Sequence, residues 1–131
     1  MPIKSVLIEV APGELIDKIT ILLIKSERIT DNMQLANVQR ELGILTSKVD
    51  EEITSSPKFD ELKLELKAVN EELWRIEDDI RDCERVNDYS QTFIDLARAV
   101  YITNDKRADL KREINVLLGS EIIEEKSYTS Y

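Results

Sequence analysis

The sequence predicts an all-α fold, an antiparallel up-and-down bundle of about four helices with long coiled-coil-like hairpins. The 131 residues include only three Gly and three Pro, which leaves few places for turns. With 42% hydrophobic and 34% charged residues, the composition suits amphipathic helices around one core, so we treat residues 1–131 as one domain. The strongest observation is a seam of apolar residues spaced by four and three over three heptads: Leu62, Leu66, Val69, Leu73, Ile76, Ile80 and Cys83.

Residues 1–13 form an extended lead-in to the first helix. Four β-branched residues favour a short β-strand over residues 3–10, although their alternation is imperfect. Pro12 suits a first helical turn, and the first helix is predicted from about Glu14 to Ile29. Its apolar side chains point in nearly every direction, so we expect either a central helix or a subunit interface.

Turn and cap residues delimit the other three helices. Cap-type residues at 30–32 begin the second helix, which runs to about Ile53. Ser56 and Pro57 start the third, which carries the seam to Cys83 or Val86. After a turn at 87–90, the fourth helix runs towards Leu118, and residues 120–131 form a tail.

Short connections make the second, third and fourth helices antiparallel neighbours. Folding the chain at the two turns brings Val49 and Ile114 to the level of Leu62. We therefore expect these three helices to share one set of core layers, with the first helix as the fourth member.

The fourth helix carries a similar apolar seam at heptad spacing, and it is interrupted at two positions, Thr103 and Arg107. A guanidinium on a core stripe must be paired or must reach solvent. We expect its partner on the third helix, at Glu65, Glu72 or Asn70.

A polar strip surrounds this interruption: Tyr101, Asn104, Arg107, Lys111 and Asn115. Two fixed positive charges, a phenol and two amides are suited to an anion or a carboxylate, inside the bundle or at a dimer seam. The alternative is a buried ion pair that sets the helix register, with the other residues solvated, and we favour it.

The third helix also has an acidic face at 77–79 and 82, which could hold Mg²⁺ only with further acids at helical spacing. The third acid after Glu71 and Glu72 would fall at Arg75, so we favour a solvated face and predict no metal or cofactor. Cys83 lies on the seam and is expected to be an inert core thiol.

Charge and composition exclude several function classes. A net charge of −9 disfavours nucleic acid and anionic membrane partners, despite five basic and two acidic side chains between 98 and 112. The chain has no His, which removes imidazole-based triads, metal sites and proton relays. A single Cys indicates a reducing cytoplasm, and neither a signal peptide nor a membrane-length apolar run is recognised.

The first helix and Trp74 are the candidate contacts with a partner. On the helix these are Leu15, Ile19, Leu22 and Leu23. Because the seam is continuous and no catalytic constellation emerges, we predict a cytoplasmic interaction module that forms a homodimer, with another protein as a further candidate partner. The alternative is a bundle that binds a small anionic ligand on the polar strip or acts on one.

Four segments resemble a family of small bacterial proteins classed as a domain of unknown function: residues 12–22, 73–81, 99–107 and 124–128. This resemblance covers nearly the whole chain and implies a helical fold and a bacterial or phage origin. A second likeness, of residues 14–28, is to the first helix of the helical chorismate mutases. It implies that Arg28, Arg107 and Lys111 would hold a dicarboxylate, although the acidic balance departs from that family's pattern.

Overall fold

The computed structural model describes residues 4–131, which form four helices connected by short turns. Their bounds are α1 Pro12–Arg28, α2 Asn32–Glu52, α3 Pro57–Arg85 and α4 Gln91–Leu117. The predicted all-helical bundle is confirmed, and the predicted bounds agree within about two residues.

Local sequence signals begin and end these helices as expected. Pro12 occupies the first turn of α1. The Asp31 carboxylate accepts from the Gln34 backbone N–H at 2.9 Å to cap α2, and the Ser56 hydroxyl accepts from the Phe59 N–H at 3.2 Å to cap α3. Each cap satisfies a backbone donor that the first turn leaves unpaired.

The predicted N-terminal strand is wrong over the part of the chain that the structure describes. Residues 4–10 have no regular secondary structure and no neighbouring strand pairs with them, and Ile3 lies outside the described residues. We call residues 4–10 the N-terminal arm.

α1 is the central helix of the bundle. It packs against α2, α3 and α4, and α3 also packs along α4. Within residues 4–131, no Cα atom of α2 lies within 8 Å of one in α3 or α4. The expectation that the α2 and α3 backbones lie side by side is therefore wrong, because α1 lies beside α2 and packs against α3 and α4.

The core is at the end of the bundle where α1 begins. Its fully buried members come from α1, α3 and α4: Ile16, Ile19, Phe59, Leu62, Leu66 and Ile114. Four half-buried residues of α2 and the following turn pack against them: Leu42, Leu45, Val49 and Ile53. Val49, Leu62 and Ile114 thus belong to one cluster, as the register predicted, although the α2 backbone stands further away.

The α3–α4 hairpin extends beyond the end of α1. At 1.5 Å per residue, the 29 residues of α3 span about 43 Å, whereas the 17 residues of α1 span about 25 Å. Ile76 and Cys83 keep the hairpin closed by burying their side chains on the seam.

Candidate functional site

A buried carboxylate lies at the centre of the three-helix contact between α1, α3 and α4. Asp17, from the first turns of α1, has only 1% of its surface exposed. Arg107 of α4 donates two parallel hydrogen bonds to this carboxylate, from Nε to Oδ1 at 2.9 Å and from Nη2 to Oδ2 at 2.6 Å. This bidentate geometry is the strongest that a guanidinium and a carboxylate form.

α3 contributes an amide to the same cluster. Asn70 donates from Nδ2 to Asp17 Oδ1 and to Thr20 Oγ1, each at 2.9 Å, and the Thr20 hydroxyl donates to the backbone carbonyl of Asp17 at 2.7 Å. Among the described residues, no buried side-chain nitrogen or oxygen is left without a partner. The cluster is therefore a closed network that connects three helices.

The predicted interruption of the seam at Arg107 is thus explained by a partner that the sequence did not suggest. The expected ion pairs with Glu65 or Glu72 do not form, and Asn70 reaches Arg107 only through the shared Asp17. Asp17 neutralises Arg107 because α1, and not α2, occupies the space beside α4. The hydrogen bonds from Arg107 to Asp17 raise the pKa of the guanidinium, so it stays charged.

Thr103, the second interruption of the seam, is 2% exposed one turn before Arg107. A threonine is short enough to leave the core closed at this level. Its burial confirms its predicted position on the inner face of α4.

Lys111 lies one turn further along α4 and is shared by two carboxylates. Its Nζ is 2.7 Å from Glu14 of α1 and 2.9 Å from Glu124 of the tail. Burial lowers the pKa of this ammonium group, but the hydrogen bonds to the two carboxylates outweigh it, so the pKa lies above the usual value.

The start of α1 is fastened to α4 by Asn115. The backbone N–H of Gly13 donates to Asn115 Oδ1 at 2.7 Å. The helices approach so closely that a β-carbon at position 13 would lie 2.4 Å from the Lys111 carbonyl oxygen. Glycine is needed here for this close approach of backbone to backbone.

The tail folds back along the outer side of α4. Lys126 contacts Asp105 at 2.8 Å, Glu125 contacts Arg112 at 3.3 Å, and the rings of Tyr131 and Tyr101 meet edge to face at 5.1 Å. The hydrogen bonds from Lys126 and Tyr131 lower the pKa of Asp105. The tail therefore pairs with two cations of α4, Lys111 and Arg112, and with one acid, Asp105.

The five residues of the polar strip do not form one site. Asn104 and Arg107 line a groove of about 400 Å³, the Arg107 groove, with walls that include Ile24, Trp74 and Asp78. Tyr101, Lys111 and Asn115 are instead occupied by the tail, two carboxylates and the Gly13 backbone. Arg28 lies over the Trp74 ring at 5.8 Å and does not join Arg107 and Lys111 around one pocket.

The candidate interface residues are mostly part of the chain's own core. Ile19 and Leu22 are buried, and Leu15 and Leu23 are half-buried against the core cluster. Trp74 is also half-buried. The apolar side chains of α1 thus pack against other helices of the same chain, as expected of a central helix.

The N-terminal arm carries the large apolar surface that α1 does not offer. Val6, Leu7 and Ile8 are 73%, 94% and 75% exposed. The arm leaves the bundle at Ala11, which is buried, two residues before the Gly13 contact with α4. The β-branched residues of this segment predicted a strand, and their pattern gave no separate indication of a contact surface.

The acidic face of α3 is solvated. Glu77, Asp78, Asp79 and Asp82 are exposed, and over residues 4–131 no three side chains of Asp, Glu or Cys are arranged to hold a metal ion. None of the four described helices is both long enough and apolar enough to cross a membrane.

Comparison with known families decides the identity of the chain. A family model described as "Family of unknown function (DUF6165)" matches residues 6–131. The chain belongs to this family. No curated protein and no solved structure matches the chain.

The family match includes most of the N-terminal arm and the whole tail. It begins at Val6, so most of the N-terminal arm belongs to the family's shared domain, and it continues through the tail to Tyr131.

Proposed function

We propose that the protein is an interaction module that forms a homodimer through its N-terminal arm. The observation that carries the proposal is the exposure of Val6, Leu7 and Ile8 on a segment that has no regular secondary structure and lies within the family match. A monomer gains nothing from this arrangement, since adjacent large apolar side chains in water mark interaction sites or aggregation hazards.

The sequence of the arm suits a contact in extended conformation. Val6, Ile8 and Val10 alternate with Ser5, Leu7 and Glu9, so one side of the arm is uniformly β-branched. Burying each large aliphatic side chain is worth about 1.5–3 kcal/mol. The fastening of Gly13 to Asn115 holds the root of the arm in place, which lowers the entropy lost on binding.

A second copy is the simplest partner for this surface. Two-fold dimers are the commonest assemblies of soluble proteins. In such a dimer the same contact forms twice, so the arm of each copy is buried. The proposal places the module in the cytoplasm, because its single cysteine has no intrachain partner and is buried as a free thiol.

Sedimentation velocity of the full chain tests the proposal. We expect the unaltered protein to sediment as a dimer and Ile8→Asp to sediment as a monomer, because the charge would be buried in the contact. Met33→Asp is the matched control, since Met33 of α2 is 80% exposed and Ile8 is 75% exposed. A monomer at all concentrations, or a dimer unaffected by Ile8→Asp, would contradict the proposal.

A second candidate function is the binding of a small anion in the Arg107 groove. Among residues 4–131, Arg107 spends Nε and Nη2 on Asp17, which leaves Nη1 for a further acceptor beside Asn104. Thermal melting with citrate or inorganic phosphate tests this function. We expect an increase in melting temperature that Asn104→Ala removes and that Asn37→Ala, on the exposed side of α2, keeps. An unchanged melting temperature with both anions would remove this candidate.

A further inference from the structure

An open groove lies at the end of the bundle where the arm begins. It has a volume of about 610 Å³ and lies between α3 and α4. Its apolar residues are Leu62, Val116 and Leu117, and charged residues at its rim include Lys58, Asp109 and Arg112. We call it the end groove.

The end groove is not filled by the chain itself. Val116 is 64% exposed and Leu117 is 42% exposed. The arm of the same chain does not cover them, since its own apolar side chains are mostly exposed. Two apolar surfaces of one chain thus face solvent at the same time.

The root of the arm and the end groove are neighbours. Gly13, two residues after Ala11, donates to Asn115, and Asn115 directly precedes Val116 and Leu117 of the groove. A two-fold axis past this end of the bundle would therefore bring the arm of each copy towards the groove of the other. Such an exchange buries the arm and the end groove of both copies.

The charges of the arm complement those of the groove. Glu9 is the single acid of the arm and would meet Lys58, while Lys4 would meet Asp109 or Glu113; Arg112 is already paired with Glu125 of the tail. The β-branched side of the arm offers Val6 and Ile8 to the apolar floor. Charges that match at the rim of a contact fix its register.

We propose that the end groove of each copy receives the N-terminal arm of a second copy. This inference rests on the proposed function and specifies the surface that the arm contacts. It predicts that the dimer depends on two separate parts of the chain, the arm and the α3–α4 groove.

The first experiment places a charge in the groove. Val116→Asp should raise the dimer dissociation constant at least about 100-fold in sedimentation equilibrium, because the two-fold contact loses a buried aliphatic group twice and gains two buried charges. Ile44→Asp is the matched control, as Ile44 of α2 is 63% exposed and Val116 is 64% exposed. Far-UV circular dichroism of both variants checks that the helices are retained.

The second experiment mixes two variants that each fail to dimerise. Ile8→Asp has a damaged arm and an intact groove, and Val116→Asp has the reverse. Mixed in equal amounts, they should form a heterodimer through one intact arm and one intact groove, with an affinity between those of the unaltered protein and the single variants.

The outcomes separate this inference from the function on which it rests. If Ile8→Asp is monomeric but Val116→Asp still dimerises, the arms pair with each other, and the groove proposal fails while the dimer function stands. If the mixture contains no heterodimer, the groove proposal fails as well. A dimer that survives Ile8→Asp removes both.

Discussion

The Asp17–Arg107 pair allows a sharp prediction, because its two partners differ in exposure. Asp17 is 1% exposed, whereas the side chain of Arg107 is 29% exposed. Arg107→Met would leave a carboxylate buried without its cation, which costs about 3–5 kcal/mol in comparable sites. Since Asn70 would still donate to Asp17 Oδ1, we expect a loss near the lower end, about 3 kcal/mol.

The reverse change should cost less. Asp17→Asn keeps an acceptor for Asn70 and leaves a guanidinium that can turn towards solvent, so we expect a loss of about 1–2 kcal/mol. The double variant should be more stable than Arg107→Met alone, because no buried charge remains.

Urea unfolding at 25 °C, followed by far-UV circular dichroism, measures these free energies. All four proteins should be compared at one protein concentration, since dimerisation would add to the apparent stability. The reasoning is refuted if Arg107→Met costs less than Asp17→Asn, or if the double variant is less stable than Arg107→Met.

Three further predictions concern the contacts of α4 with its surroundings. Gly13→Ala should destabilise the protein by about 1–3 kcal/mol in urea unfolding, because the new methyl would lie 2.4 Å from the Lys111 carbonyl oxygen. The control Gly43→Ala, which has nothing within 4 Å, should stabilise the protein by about 0.5–1 kcal/mol. Equal effects of the two substitutions would contradict the close approach of α1 and α4. Because the pKa of Lys111 is raised in the folded protein, its contribution to stability is complete below the unfolded pKa of about 10.5 and is lost as the pH rises through the higher folded pKa. Urea unfolding at alkaline pH should therefore depend less on pH in Lys111→Gln than in the unaltered chain. Because the pKa of Asp105 is lowered in the folded protein, its contact with the tail is complete above the unfolded pKa of about 3.8 and is lost as the pH falls through the lower folded pKa. The NMR signals of the Tyr131 ring should then move to the positions of a free peptide. In Asp105→Asn they should lie at those positions already at neutral pH.

Sequence patterns predicted what depends on one helix at a time. The heptad seam from Leu62 to Cys83 fixed the inner face of α3, and the same spacing on α4 identified Thr103 and Arg107 as interruptions of the core. Both residues lie where this spacing places them. Helix bounds followed from local caps such as Ser56, whose effect ends within one turn.

Partners between helices were harder to predict, because they depend on which helices touch. The sequence predicted α3 as the source of the acid for Arg107, since the short turn at 87–90 makes α3 the certain neighbour of α4. An acid near the start of a helix, such as Asp17, is explained by the helix dipole alone, so its position does not indicate a partner on another helix. Nothing in the length of the connection after α1 indicates that α1 packs against α3 and α4 as well as α2.

One missed contact had a usable signal in the sequence. The tail carries two acids and a lysine at 124–126, and α4 carries Asp105, Lys111 and Arg112 in complementary positions. An antiparallel alignment of these charges would have predicted that the tail folds back along α4, as the contact between Lys126 and Asp105 requires. The same test of charge and apolar pattern links the arm to the end groove.

The two ends of the chain therefore have different roles at one end of the bundle. The tail is polar and pairs with two cations of α4, so Lys111 and Arg112 are already paired in the monomer. The arm is apolar, and its side chains find no such partner among the described residues. Because apolar surface is the part that the monomer leaves in water, assembly of this protein should depend mainly on the burial of the arm and only weakly on salt. If the dimer instead dissociated at moderate salt concentration, the charges of Lys4 and Glu9 would dominate the contact.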